Sequence, residues 1–165
     1  MAFDLIYGVV LFIVLCFGFV LIFGPPYLPT MSRQVQAAIK LADLEPGQTL
    51  LELGSGDGRV LVAAARAGLS VVGYELNPLL FAFSWLRTRR YRKQVKLVLG
   101  NFWQHSWPQC DAIYVFLLPR LMTKLERKIE TEQLKEVPVI SFAFKFNDLV
   151  PESEVAGVFL YRFKH

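Results

Sequence analysis

The chain has 165 residues, with 18 Lys and Arg against 14 Asp and Glu for a formal net charge of +4. At 54% hydrophobic, 14% aromatic and 19% charged residues it can build a packed core, which excludes global disorder. Its length admits one domain with a short appendage and excludes a two-domain dehydrogenase or a large polytopic transporter. The cysteines are Cys16 and Cys110 and the histidines His105 and His165; no spacing among them fits a disulfide framework or a zinc site, so no metal is expected.

In chain order, residues 5–23 (LIYGVVLFIVLCFGFVLIF) carry no charge. As a helix they would extend about 28 Å, close to the roughly 30 Å of a bilayer's hydrocarbon core. Asp4 stands where a signal peptide would have Lys or Arg, and no small-residue cleavage site follows, so the run reads as a single-pass transmembrane anchor. Arg33 and Lys40 follow the run and no basic residue precedes it, which predicts a membrane protein with its main domain on the cytoplasmic face. Three segments are expected: an anchor over 1–24, a proline-rich linker with a short helix over 25–48, and the main domain over 49–165.

Pro25-Pro26-Tyr27-Leu28-Pro29-Thr30 reads as a stiff, extended linker. Ser32 is placed to cap a helix with Val35, Ala38, Ile39 and Ala42 on one stripe, stopped by Glu45-Pro46-Gly47. Beyond it, strands are expected at 49–53, 70–74, 95–99, 112–117, 137–144 and 155–163. Helices are expected at 59–67, 78–90 and 121–129, the second with Asn77 as N-cap and Pro78 in its first turn. This alternation predicts an α/β fold with a parallel, doubly wound sheet.

The informative stretch is Leu50-Leu51-Glu52-Leu53-Gly54-Ser55-Gly56-Asp57-Gly58-Arg59. A strand runs into a glycine-rich turn and then a helix, and the next strand ends on an acid, Glu75. Glycines there let a ligand lie close to the backbone, and a carboxylate at the end of the second strand can accept hydrogen bonds from ribose hydroxyls. A dinucleotide would place its pyrophosphate on the helix N-terminus. Glu52 and Asp57 suit a ligand with an ammonium and a sulfonium better, which favours S-adenosylmethionine over NAD(P). The alternative for each residue is structural: turn glycines, a surface acid at Glu75, a core aromatic at Phe116, and an interfacial aromatic at Tyr27.

With Pro26-Tyr27-Leu28-Pro29-Thr30, Gly73-Tyr74-Glu75-Leu76-Asn77-Pro78 and Val115-Phe116-Leu117-Leu118-Pro119 added, the chain resembles class I methyltransferases. Within them it is most similar to the small membrane-anchored protein-lysine methyltransferases that act on the adenine nucleotide translocase and the ATP synthase c subunit, with prokaryotic relatives. The resemblance implies a Rossmann-like methyltransferase sheet with flanking helices after one N-terminal transmembrane helix, and S-adenosylmethionine as cofactor. It implies cofactor binding by Thr30, Glu52, Gly54, Gly56, Gly58, Glu75, Asn101 and Phe102, with Asn101 where the family often has Asp. Tyr27, Asn77 and Phe116 become the candidates at the methyl-transfer site. The implied reaction is methyl transfer to a neutral lysine amine of a membrane protein. Methylation of a lipid or small hydrophobic acceptor, and a non-catalytic S-adenosylmethionine-binding module, are the alternatives.

Gly24-Pro25-Pro26-Tyr27 is similar to the Asp/Asn-Pro-Pro-Tyr motif of enzymes that methylate nucleic-acid bases. Gly24 lacks the side-chain carbonyl of that motif, and Phe116-Leu117-Leu118-Pro119 stands where the motif would be expected, so no nucleic-acid partner is expected. Arg87, Arg89, Arg90, Arg92, Lys93 and Lys96 hold a third of the 18 basic residues. They suit a helix C-terminus, anionic lipid headgroups or an acidic partner, and the bilayer is the expected second partner.

Overall fold

In the computed structural model the strands from Thr49 onward join one sheet. The structure describes residues 2–23, 30–133 and 136–163, with side chains in the first helix described at residues 3–15 and 18. The helices are α1 (Ala2–Phe23), α2 (Ser32–Ala42), α3 (Arg59–Arg66), α4 (Pro78–Thr88) and α5 (Met122–Glu132). The strands are β1 (Thr49–Leu53), β2 (Ser70–Glu75), β3 (Val95–Leu99), β4 (Ala112–Val115), β5 (Val137–Phe142), β6 (Ser153–Val155) and β7 (Val158–Phe163). They run in the order β3-β2-β1-β4-β5-β7-β6. The first five are mutually parallel, and β7 pairs antiparallel with both β5 and β6.

Side chains alternate between the two faces of the sheet, and each face builds its own core. Leu51, Leu53, Ile113, Val115 and Val139 pack with Trp107 and with Met122, Leu125 and Ile129 of α5. Leu50, Val71, Ala112, Tyr114 and Ile140 pack on the opposite face with Val35 and Ala38 of α2 and Val60, Leu61 and Ala64 of α3.

The expected parallel sheet is a mixed one. The single late strand expected over 155–163 is a hairpin, because Ala156 and Gly157 both take positive φ, 54° and 74°, as a tight two-residue hairpin turn requires. Met31, not Ser32, occupies the N-cap of α2 and makes no side-chain cap bond. On α4 the small polar residues Ser84 and Thr88 are buried while Phe83, Trp85 and Leu86 are exposed. The reason is steric: a Cβ on Gly58 would lie 2.4 Å from Ser84 Oγ, so only small side chains fit where α4 crosses the start of α3.

The membrane expectation is corrected. A helix does form at Ala2–Phe23, but among the described residues no helix is long and apolar enough to cross a membrane. Asp4 lies in its first turn. The single-pass anchor, the cytoplasmic-face localisation and the bilayer as partner through this helix are withdrawn. Residues 25–29 of the proline-rich linker, Tyr27 included, lie outside the described residues.

Gly73, at the middle of β2, limits how closely α3 can pack: a Cβ there would meet Leu61 Cδ2 at 2.8 Å and Ser55 Cβ at 3.2 Å. Gly73→Ala is therefore expected to destabilise the domain by about 1–3 kcal/mol through overpacking. Adding Leu61→Val should restore part of the loss in urea denaturation. No recovery in the double variant would show that the strain lies elsewhere.

Candidate active site

The connections reverse at β1, which has β2 on one side and β4 on the other. In open α/β sheets the crevice outside the carboxyl ends of the strands at such a point is where ligands bind. The glycine turn after β1 forms its floor. Gly54 and Ser55 both donate backbone N–H bonds to Tyr74 O, at 3.0 and 2.8 Å, and Gly58 donates to Ser55 O at 2.8 Å. Gly54 has φ +95°, and a Cβ built on it meets no atom within 4 Å. The turn is thus open at Gly54 and closed against α4 at Gly58, so the two glycines serve different purposes.

Glu75, at the end of β2, is buried. Its Oε2 accepts from Gly56 N at 2.7 Å and its Oε1 from Asn77 N at 2.8 Å. Burial raises its pKa, and the N–H groups of Asn77, Gly56 and Leu76 offset part of that rise. An ionised carboxylate has about four acceptor sites, so these backbone bonds leave some acceptor capacity for a ligand. Sequence reasoning assigned Glu75 to the ribose alone; the structure adds the fastening of the glycine turn to the start of α4.

Glu52 is 3% exposed, and its Oε2 has no hydrogen-bond partner among the described residues. Desolvation pushes its carboxyl well above the usual range, the charges of Glu75 and Asp57 add to the rise, and the Leu61 N–H of α3 opposes it. An orphaned acid at this depth is costly unless a cation or donor meets it. Asp57 behaves oppositely. Burial alone would raise it, but Arg59 and Arg87 outweigh burial and lower its pKa to about 2. Arg59 Nε and Nη2 donate to its two oxygens at 2.9 and 2.8 Å, and Arg87 Nη1 closes on Oδ2.

The same Arg59 donates through Nη1 to Thr30 O at 2.7 Å, tying the segment before α2 to the glycine turn. The Thr30 hydroxyl lies 3.1 Å from Tyr114 OH. Both residues are buried; burial drives the Tyr114 phenol far up, Thr30 partly offsets this, and the Glu52 charge adds to the rise. Thr30, Glu52 and Tyr114 thus come together on one face. Sequence reasoning missed Tyr114 and the Arg59 strap. The available signal was a hydroxyl-bearing side chain in the otherwise aliphatic strand Ala112–Val115.

The remaining candidates fall in three places. Asn77 is fully buried; its Oδ1 caps α4 by accepting from Leu79 N at 2.9 Å and Leu80 N at 3.3 Å, while its Nδ2 has no partner among the described residues. Its observed task is to cap a helix at the edge of the crevice. Asn101 follows β3 and accepts from Trp103 N at 3.0 Å, with Phe102 packed against Trp103 and Trp107. Phe116 lies just past β4 against Phe142 and Phe144.

A family model, the ANTKMT methyltransferase domain, matches residues 52–153. The chain belongs to the ANTKMT methyltransferase family. The ATP synthase C-subunit lysine N-methyltransferase of Rattus norvegicus is 37% identical over 131 residues, covering 77% of this chain and 59% of the relative. Adenine nucleotide translocase lysine N-methyltransferase of Mus musculus is 34% identical over 122 residues, covering 72% of this chain and 53% of the relative. The chain therefore spans between half and three-fifths of the length of these two relatives. Among solved structures, an RNA methyltransferase from Salinibacter ruber in complex with S-adenosyl-L-homocysteine superimposes with a TM-score of 0.75 at 27% identity, covering 82% of this chain and 92% of that one. The ANTKMT-family crevice suits S-adenosylmethionine: open space over Gly54, an orphaned buried acid for a cation, and spare acceptor capacity at Glu75.

The raised carboxyl of Glu52 sets a pH dependence. A carboxyl whose pKa is higher in the folded than in the unfolded state stabilises the fold below its unfolded value, about 4.3, and loses that contribution as pH rises toward the folded value. Ligand-free protein should therefore lose stability as pH rises above about 5. Glu52→Gln should flatten that slope, leaving the portion due to Glu75, and should be the more stable protein at pH 8. The same change should weaken cofactor binding about tenfold to a hundredfold, the scale of hydrogen bonds to a charged group. Urea midpoints across that pH range, with calorimetry of S-adenosylhomocysteine, check both; parallel slopes would remove Glu52 from the account.

Proposed function

We propose that the protein is an S-adenosylmethionine-dependent protein-lysine N-methyltransferase. The observation that carries this reading is the orphaned Glu52 carboxylate beside an open glycine turn at the sheet's reversal point. Membership of a family whose relatives are named as lysine methyltransferases supplies the acceptor class. A protein acceptor of the kind those relatives are named for, the ATP synthase C-subunit or the adenine nucleotide translocase, is the substrate class we assign.

In this reading Glu52 faces the ammonium of the cofactor, Gly54 and Gly56 lie under its methionine end, and Glu75 takes the ribose hydroxyls. Asn101 and Phe102 border the adenine, and Thr30 stands over the cofactor. When bound, S-adenosylmethionine supplies an electrophilic methyl group on a sulfonium.

The chain's own residues prepare the nucleophile. A lysine amine has a pKa near 10.4 in water, and an apolar, partly dry surround lowers it toward the neutral form. Phe116 and Leu117, following β4, supply such a surround, Leu117 being buried and Phe116 half-buried. Water can accept the proton before the amine enters, so no dedicated base is required. Positioning and exclusion of water carry the catalysis.

Gly54→Ala is expected to raise the Kd for S-adenosylhomocysteine at least about a hundredfold, because its Cβ would occupy the open space over the turn. The positive φ at Gly54 should add a stability cost of about 1–2 kcal/mol, too little to unfold the domain. The activity itself is tested by incubating the protein with S-adenosylmethionine labelled in its methyl group and an extract from cells lacking it, then treating with protease or ribonuclease. Label released by protease and recovered as methylated lysine supports the reading. Label released by ribonuclease alone would replace the acceptor.

A further inference from the structure

Three phenyl rings meet just past the carboxyl ends of β4 and β5. The Phe116 centroid lies 4.7 Å from that of Phe142 and 6.1 Å from that of Phe144, the latter pair within 23° of parallel. All three rings are half-buried, whereas Val115, Ile140 and Ser141 on the strands leading to them are fully buried.

Strand register joins this cluster to the glycine turn. Leu53 pairs with Val115, and Val115 with Ser141. The next residue on each strand is Gly54, Phe116 and Phe142, side by side across the sheet. The rings therefore begin where the crevice ends.

The backbone is bent to assemble them. Ala143, between Phe142 and Phe144, has φ 67°, a conformation disfavoured for a residue with a Cβ. Two bonds hold it: Ala143 N donates to Gly157 O at 2.9 Å, and the buried Ser141 hydroxyl donates to Phe144 O at 2.6 Å. The neighbouring Lys145 places its amine over Phe159, 4.7 Å from that centroid, and not over this cluster.

Half-exposed rings attract two kinds of group. One is an apolar stem, by contact. The other is a weakly hydrated cation, through the negative faces of the rings. A lysine side chain carries the first and gains the second as methyl groups replace its N–H bonds.

We infer that Phe116, Phe142 and Phe144 form the subsite for the acceptor lysine, holding its stem and favouring its methylated ammonium. This rests on the lysine-methylation reading above. Ser141 is a positioning residue, acting through the turn that presents Phe144.

The test uses the full chain saturated with S-adenosylhomocysteine. Two probes are titrated by NMR: N-acetyl-trimethyllysine methylamide and its uncharged tert-butyl isostere. The charged probe should bind about fivefold tighter than the isostere. Phe142→Leu and Phe144→Leu, which keep bulk but remove the aromatic face, should each cut that preference to about twofold or less. Their S-adenosylhomocysteine affinity should stay within about twofold of the parent. If Phe142→Leu does not fold, Phe144→Leu decides alone. Equal binding of the two probes, or a preference that survives the ring substitutions, would overturn the subsite while leaving the methyltransferase reading intact. Failure of the unmodified protein to bind S-adenosylhomocysteine at all would overturn both.

Discussion

The Glu75 carboxylate joins the parts of this crevice that the chain would otherwise leave separate. It stands at the end of β2, yet one oxygen holds Gly56 in the turn after β1 and the other holds Asn77 at the start of α4. Asn77 in turn caps α4 through Leu79 and Leu80, and Ser84 of α4 rests where a side chain on Gly58 would be. One buried acid thus fixes the height of the glycine turn, the direction of α4 and the width of the opening between them. Any acceptor capacity left on this carboxylate inherits that rigidity. Preorganised polar groups of this kind cost little reorganisation when the ligand arrives.

Around that anchor the acids divide by their partners. Asp57 is neutralised by Arg59 and Arg87 and binds the turn to α4 and to the segment before α2. Glu52 has no such guanidinium. Its orphaned oxygen, and the unfavourable push from Glu75 and Asp57, make it the locus of stored electrostatic cost in the ligand-free protein. Natural proteins retain such costs at functional sites. A cationic group such as the ammonium of S-adenosylmethionine would relieve that cost.

Much of this was legible in the sequence because it is local. The strand, the turn glycines, Asn77 before Pro78 and the acid ending β2 are adjacent in the chain, and each has a short-range physical signature. What escaped was long-range or atypical. Nothing local says that Tyr114 meets Thr30, 84 positions away, or that Arg59 reaches back to the Thr30 carbonyl. The β6–β7 hairpin was hidden because its turn is Ala156-Gly157, without the Asn or Asp that usually marks positive φ. The apolar run over 5–23 gave the expectation that failed: it does form a helix, but among the described residues no helix is long and apolar enough to cross a membrane. On α4 the residue that faces Gly58 is the small Ser84, because the two elements approach closely there.

The parity of the strands explains why the site is one-sided. In β1, Leu51 and Leu53 belong to the core under α5, while Leu50 and Glu52 face α2 and α3. In β4, Ile113 and Val115 take the first face and Tyr114 the second, and Phe142 of β5 follows Ile140 to that second face. Glu52, Tyr114 and Phe142 are therefore on the same side of the sheet, with Thr30 against Tyr114 and the Phe116 ring tilted against that of Phe142. A one-residue slip of β4 would exchange Tyr114 for an aliphatic neighbour and bury a hydroxyl in the opposite core. The apolar residues that fix register against such a slip, Ile113 and Val115, are themselves fully buried. Core packing on one face of the sheet thus holds the polar and aromatic residues of the crevice in place on the other.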